Sequence, residues 1–433
     1  MGKLPVIPVS FVLNYKSTNT YALNVLVGAL EAVIDSQVLE VLFVKKTEEL
    51  AASVRSALNR QRRVVVGWSL HSPGIADNLS DLLRLKGQVD NKEVIYLAGG
   101  PHATAEPRST LKAGFDFVAL GEGEQTIVDF VGRLVNAEDY FSTPGIAYVS
   151  DGRLRSNGYG KRIQLDDYPP FAQMHRRFNP IEITRGCIYA CGFCQTPFMF
   201  RAKFRHRSVE NIVHYVEVMK DHNLKDIRFI TPSSLSYGSV DSSVRLEKIE
   251  ELLASVRDVV GTEGRIFFGT FPSEVRPEHV SRDALLLVRR FANNNNIIIG
   301  GQSGSQRVLD LCRRSHRVED IVSAVRATLE VGLLPNVDFI FGLPGEEDSD
   351  VRATLRLVEE LCAMGARIHG HTFIPLPGTP FRNSPAGKIG PAAMRRLRLL
   401  ASHDKLYGDW LQQIRIAQSL AQHAKKAAVA NER

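Results

Sequence analysis

The chain has 433 residues, 44% of them hydrophobic, with 33 Gly, 20 Pro and five Cys, and 54 Lys and Arg against 47 Asp and Glu give a formal charge of +7. That length and apolar content suit two or three domains with cores of their own and exclude a fibrous, disordered or disulfide-stapled protein. No apolar run approaches the roughly 18 residues of a membrane-spanning helix, and Met1 to Tyr15 reads as a strand without a targeting pattern. The expectation is a soluble cytosolic protein, where thiols stay reduced and clustered cysteines serve metal or redox chemistry.

In the first third, short β-branched runs alternate with amphipathic ones. Val6 to Leu13, Val38 to Val44, Val64 to Trp68, Val94 to Ala98 and Phe115 to Leu120 read as strands. Thr20 to Val33, Thr47 to Asn59, Gly74 to Leu85 and Glu124 to Val135 read as helices. The alternation predicts an α/β fold with a doubly wound, Rossmann-like parallel sheet over residues 1–145, whose ligands bind beyond the carboxyl ends of the strands. Small and polar residues gather there: Asn14 to Thr20, Ser69-Leu70-His71-Ser72-Pro73-Gly74, Gly99-Gly100-Pro101-His102 and Gly121-Glu122-Gly123-Glu124. Glycines at such an edge let a backbone approach a flat ligand or phosphate, but equally serve turn geometry. His71 and His102 read as well as hydrogen-bonded loop residues as they do as ligands.

Residues 146–179 read as a linker. A strand over Ile181 to Thr184 then leads into a loop with Cys187, Cys191 and Cys194, at spacings of four and three. Three thiolates on one loop can converge on a soft metal centre, and iron–sulfur clusters use such ligands. Cys312 and Cys362 sit among apolar residues in predicted helices and read as small core residues. Without a fourth cysteine the cluster keeps one iron open to a substrate or cosubstrate. Further strands follow at Asp226 to Ile230, Arg265 to Thr270, Ile297 to Gly300, Asn336 to Phe341 and Ile368 to Ile374. Helical stretches such as Val244 to Val260, Asp320 to Val331 and Asp350 to Met364 separate them. These six βα units over 180–387 resemble the partial barrel of a known enzyme superfamily, whose chemistry sits at the carboxyl ends of the strands.

The cysteine loop, with Phe193 before its last Cys and a strand ahead of it, resembles the radical S-adenosylmethionine superfamily. The resemblance implies that Cys187, Cys191 and Cys194 hold a four-iron four-sulfur cluster whose open iron chelates S-adenosylmethionine. Gln302-Ser303-Gly304-Ser305 and Arg314 resemble the family's cosubstrate-binding stretch, with Gln302 in place of the usual acid, and Phe341-Gly-Leu-Pro-Gly345 resembles its turn against adenine. A doubly wound domain ahead of such a barrel is similar to the cobalamin-dependent class of these enzymes, most of them methylases. Gly99, Gly100 and His102, with Gly121, Glu122, Gly123 and Glu124, match elements of that class. The class's Asp-x-His-x-x-Gly signature is absent. Ser69-x-His71-x-x-Gly74 mimics it but follows the third strand, so the expectation is cobalamin bound without its dimethylbenzimidazole on cobalt, its lower face against Ser69, Leu70 and His71.

Thr231 to Gly238 and Phe271 to Arg276 resemble the archaeal subgroup containing the glutamine C-methyltransferase of methyl-coenzyme M reductase. This implies methylation of an unactivated sp³ carbon in a protein or peptide, the alpha subunit of that reductase, with two S-adenosylmethionine per turnover. One would methylate cobalt and the other would give the hydrogen-abstracting radical. Tyr237, Glu274 and Arg276 are the candidate catalytic residues, with Tyr189 and His371 as further lining. A low-potential electron donor is the implied partner. Rival readings are a cobalamin-dependent radical enzyme that methylates or rearranges a small metabolite, and a non-catalytic iron–sulfur or zinc module. The last 46 residues, 388–433, carry nine Lys and Arg against three Asp and Glu, including Arg395, Arg396, Arg398, Lys405, Arg415, Lys425 and Lys426. They read as a helical extension with a solvated basic face or a docking surface; nothing resembles a nucleic-acid module.

Overall fold

A computed structural model describes residues 6–89 and 91–431 of the chain, with side chains as far as residue 422. The chain divides at Asn179 and Pro180 into two compact units. In the first, strands β1 (Val9–Asn14), β2 (Leu39–Val44), β3 (Arg63–Ser69), β4 (Val94–Gly99), β5 (Phe117–Ala119), β6 (Ile146–Ser150) and β7 (Arg153–Ser156) form one sheet. Their order is β2-β1-β3-β4-β5-β6-β7. The first five run parallel. All six residues of β1 are buried, and Val64, Val65 and Val66 of β3 are wholly so, as expected of strands covered on both faces. Helices Thr20–Glu31 and Glu124–Val135 supply Leu23, Val27, Leu30, Ile127, Phe130 and Leu134 to the core that covers Val9, Phe11 and Leu13. With β2 on one side of β1 and β3 on the other, the winding reverses at β1, which opens a crevice at the carboxyl ends there.

The linker expected over 146–179 is in part a correction. Its first residues form the antiparallel hairpin β6–β7 on β5, because Ile146 and Ala147 are fully buried while Arg153, Arg155 and Ser156 stay exposed, a polar edge that suits a terminal strand. The rest folds back onto the same unit. The Gly160 amide donates to the Leu120 carbonyl, and the buried Asn179 accepts from the Asn24 amide and donates to the Tyr21 carbonyl.

The second unit contains β8 (Ile181–Glu182), β9 (Thr184–Arg185), β10 (Arg205–His206), β11 (Asp226–Ile230), β12 (Arg265–Phe267), β13 (Asn296–Gln302), β14 (Leu334–Phe341), β15 (Arg367–Thr372) and β16 (Leu406–Tyr407). Two parallel arcs, β12-β11-β8 and β13-β14-β15-β16, are joined by a bridge between Val275 and Ile299 and by the Ile298 amide donating to the Gly269 carbonyl. Strands β8 and β11 to β15 thus follow one another in chain order as the six expected βα strands. Helices such as Leu246–Val260, Val318–Glu330 and Asp348–Met364 lie between them. The short β16 adds a seventh parallel strand that the sequence pattern does not reveal. Phe229, Phe268, Ile297, Ile299, Val337 and Phe339 are buried in the core of this unit.

The chain continues in helices Pro391–Ser402 and Trp410–Asn431. Arg395, Arg396, Arg398 and Arg415 are exposed there, and Arg396 pairs with Glu359 at 2.7 Å. The side chains of Lys425 and Lys426 lie outside the described residues, as do Met1 to Pro5 at the start of the expected first strand. No helix among the described residues is long and apolar enough to cross a membrane.

Candidate functional site

The cysteine loop leaves the carboxyl end of the first barrel strands and is held from two sides and by one bond of its own. The Gly192 amide donates to the Cys312 carbonyl, the Phe381 amide donates to the Gly192 carbonyl, and the Cys194 amide donates to the Cys191 carbonyl. Phe193 packs on a small apolar cluster of Val308, Cys312, Leu343 and Phe373. Cys191 is buried, and Cys187 and Cys194 are half-buried. Burial pushes the Cys187 thiol up to about 11 and the Cys194 thiol in the same direction, and the neighbouring sulfurs add to both shifts. The three groups are therefore close enough to feel one another's charge, and a cationic centre would release their protons. Among the described residues only Asp338, His369 and His371 bring three ligating atoms within 4.8 Å of one another. The thiols are spread more widely than one tetrahedral ion allows, as suits a cluster in which each thiolate holds a different iron. Cys312 and Cys362 are core residues, and burial raises the Cys312 thiol to about 12.

Beside Cys191 stands Arg314, itself buried. Its Nη1 lies 3.6 Å from the Cys191 Sγ and its Nη2 donates to the Gly300 carbonyl at 2.6 Å. Glu274 Oε1, Gln302 Nε2 and Arg314 Nη2 crowd the Gly300 α-carbon so closely that a Cβ there would come within 2.8 to 2.9 Å of all three. A bulge in β13 between Ile299 and Gln302, with Gln302 at φ +73°, re-aims the Gln302 side chain. Burial raises the Glu274 carboxyl to about 7; the Arg314 guanidinium opposes the shift, and the charge of Asp338 and a hydrogen bond from its carboxyl add to it. Glu274 thus keeps its proton up to near neutrality beside a fixed cation.

Arg276 acts on the loop through Tyr189, a residue of the loop itself. The Arg276 guanidinium lies 3.5 Å from the centre of the Tyr189 ring, its Nε donates to Glu278 at 2.6 Å, and its Nη2 donates to the Arg314 carbonyl. The Tyr189 hydroxyl meets His279 Nε2 at 2.9 Å. Arg276 thus positions the loop. Tyr237 is buried with its hydroxyl donating to the Arg207 carbonyl at 2.8 Å. The Ser303 hydroxyl turns to Thr354 and accepts from the Ser305 amide, holding its own loop. The Ser233 and Ser234 hydroxyls after β11, and Arg314 Nε, are buried without a hydrogen-bond partner. Each such atom costs ~1–3 kcal/mol, which a ligand with amine, carboxylate and hydroxyl groups would recover. Glu278, His279, Asp338 and His369 escape the sequence reading. Histidines two apart in a strand, at 369 and 371, were the available signal, since they share a face.

In the first unit the expected residues share the carboxyl edge of β3, β4 and β5. The Leu70 amide donates to the Gly99 carbonyl and the His102 amide to the Leu70 carbonyl. Ser72 Oγ meets His102 Nδ1 at 2.9 Å, and the Gly121 amide donates to Thr104 Oγ1 at 3.1 Å. His71 is half-buried, its Nδ1 has no partner, and burial lowers its pKa, so it presents a neutral imidazole. That orphaned nitrogen and the half-exposed Gly99, Gly100 and Gly121 fit a large flat ligand at this edge. Glu122 and Glu124 are buried, and Glu122 accepts from the Ile163 amide at 3.4 Å, so these acids tie the loop into the unit. Gly100 has φ +89°, and a Cβ would stand 2.7 Å from the Leu70 carbonyl oxygen. Gly100→Ala should therefore cost about 2 kcal/mol or more. A lowered urea midpoint together with weakened cobalamin uptake would be the result.

Residues 15–131 match the B12 binding domain and residues 181–358 match the Radical SAM superfamily. The chain thus carries a B12-binding domain followed by a radical S-adenosylmethionine domain, which imply cobalamin, a four-iron four-sulfur cluster and S-adenosylmethionine as cofactors. It is 25% identical over 303 residues to an uncharacterized methyltransferase of Pyrococcus horikoshii, covering 67% of this chain and 62% of that protein. It is 24% identical over 326 residues to the tRNA-2-methylthio-N(6)-dimethylallyladenosine synthase of a Janthinobacterium species, covering 74% and 68%. The chain thus spans only about three fifths of the Pyrococcus relative's length. In fold it is similar to the radical S-adenosylmethionine methyltransferase TsrM from Kitasatospora setae, solved with cobalamin and a [4Fe-4S] cluster, with a TM-score of 0.67 at 16% identity over 88% of this chain and 74% of that one. OxsB, a cobalamin-dependent S-adenosylmethionine radical enzyme, gives 0.65 at 16% identity over 94% and 56%.

Proposed function

We propose that the protein is a cobalamin-dependent radical S-adenosylmethionine C-methyltransferase that methylates an sp³ carbon of a glutamine side chain in a protein, using two S-adenosylmethionine per turnover. The observation that carries the reading is the convergence of Arg314, Glu274 and Gln302 beside the open-sided thiol loop, in a chain that also holds a B12-binding domain. Cys187, Cys191 and Cys194 would hold the cluster. Gln302, Arg314 and the unpartnered Ser233 and Ser234 would hold the cosubstrate. Ser69 to His71, Gly99 to His102 and Gly121 to Glu124 would hold cobalamin. Bound together, these groups supply a hydrogen-abstracting radical and a transferable methyl, the chemistry an unactivated carbon requires. The chain's own contribution is placement. Arg276 and His279 fix the loop through its Tyr189, and the buried Arg314 sets a positive charge against it.

The glutamine-containing substrate, with the alpha subunit of methyl-coenzyme M reductase as the specific target, is supported by the resemblance of Thr231 to Gly238 and Phe271 to Arg276. A low-potential electron donor is the second partner. Anaerobic incubation with methyl-labelled S-adenosylmethionine and a glutamine-containing peptide, followed by mass spectrometry, tests the reading. The expected products are a labelled methyl on carbon, with S-adenosylhomocysteine and 5′-deoxyadenosine in equal amounts. 5′-Deoxyadenosine without S-adenosylhomocysteine would instead mark a ring-contracting or cyclising enzyme.

A further inference from the structure

Asp338 on β14 stands directly across from His369 on β15, and His371 lies two residues along the same face. Ligating atoms of all three fall within 4.8 Å of one another. His369 Nδ1 is 3.1 Å from Asp338 Oδ1, and the two imidazole rings are 4.2 Å apart. We infer that Asp338, His369 and His371 form a binding site for a single divalent transition-metal ion of the zinc class, separate from the cysteine cluster. The inference stands apart from the methyl-transfer reading.

The donor chemistry is specific. Two imidazoles and a carboxylate are a usual set for zinc or ferrous iron, and three protein ligands leave a position for water or a substrate oxygen. The rings are also held from outside, as ligating histidines are when partners behind them fix their orientation. The Gln413 Nε2 amide donates to His371 Nδ1 at 3.3 Å, which fixes the orientation of that ring. His369 stacks on Tyr407 at 4.7 Å with the planes 8° apart, and the Gly408 backbone closes over its Cδ2 and Nε2 side, which leaves Nδ1 toward Asp338. A simple hydrogen-bonded cluster accounts for His369 on Asp338. It does not account for His371, whose described hydrogen bond goes to Gln413 while its ring abuts a second imidazole. A shared cation accounts for both. His369 and His371 are half-buried and Asp338 is buried beside them, so an ion can enter past the imidazoles. The site sits on strands, where ligand positions are rigid.

The test uses the full-length protein, anaerobically reconstituted with its cluster, equilibrated with zinc sulfate and desalted, with iron and zinc measured by mass spectrometry. About one zinc per chain alongside a full iron complement is expected, and loss of zinc with iron unchanged in the double variant His369→Asn, His371→Asn. Absence of zinc from the wild type, or zinc retained in the double variant, overturns the site. If the double variant also loses iron, Gln413→Ala decides. It removes the contact to His371 Nδ1 together with the bond from the Thr372 amide, and should weaken zinc binding ~10–100-fold with iron intact. Unchanged zinc affinity in Gln413→Ala would then count against the site.

Discussion

Cys191→Ala is expected to leave a folded chain that binds almost no iron, lacks the visible thiolate-to-iron absorption and makes no 5′-deoxyadenosine. Cys191 is the most buried of the three thiols, the one that Arg314 touches. No other cysteine can stand in for it. Cys312 is the nearest in chemistry, but its thiol lies in the apolar cluster under Phe193, and its carbonyl braces the turn from Cys187 to Cys194. Iron analysis and absorption after anaerobic reconstitution check the first half of the expectation, and chromatography of the cleaved cosubstrate the second. Iron retained near four atoms per chain would mean that the loop does not hold the cluster.

Arg314→Met should be nearly as damaging by a different route. The methionine fills the volume but removes the one cation that faces both Cys191 and Glu274, leaving two buried carboxyls beside an anionic cluster. Breaking a buried charge pair in this way costs ~3–5 kcal/mol. The loss should appear as a lower denaturation midpoint of the second unit. The cluster that still assembles should be harder to reduce, because positive charge beside it favours the reduced form. Spectroelectrochemistry should therefore record a more negative potential than in the wild type. Arg314→Lys should recover part of that shift by restoring charge, without the fork that holds the Gly300 carbonyl. A potential unmoved in Arg314→Met would show that the arginine serves only packing.

The sequence makes legible what depends on short-range pattern. The five parallel strands and their helices follow from alternating apolar runs, and the cysteine loop follows from spacing alone. What it hides is produced by closure. Glu274, Gln302, Arg314 and Asp338 come from separate strands and turns, and only the parallel pairing of β13, β14 and β15 together with the Val275 bridge sets them side by side. The hairpin β6–β7 escaped because only Ile146 and Ala147 are deeply buried in it, too short a run to stand out. Tyr237 and Ser303 sit where a site was expected, but their hydroxyls are turned to the protein's own backbone and to Thr354. A loop position can be read from sequence, but the direction of a side chain on it depends on what the rest of the fold leaves unpaired.

The peptide at Gly192 has a consequence for how the enzyme is made. Its amide is claimed by Cys312 and its carbonyl by Phe381, residues far downstream in the chain. A ribosome that has released the three cysteines has not yet released the groups that shape the loop around them. The nascent loop is consequently a set of reduced, exposed thiols without a template until synthesis passes Phe381. The loop can take its folded shape only once synthesis has passed Phe381.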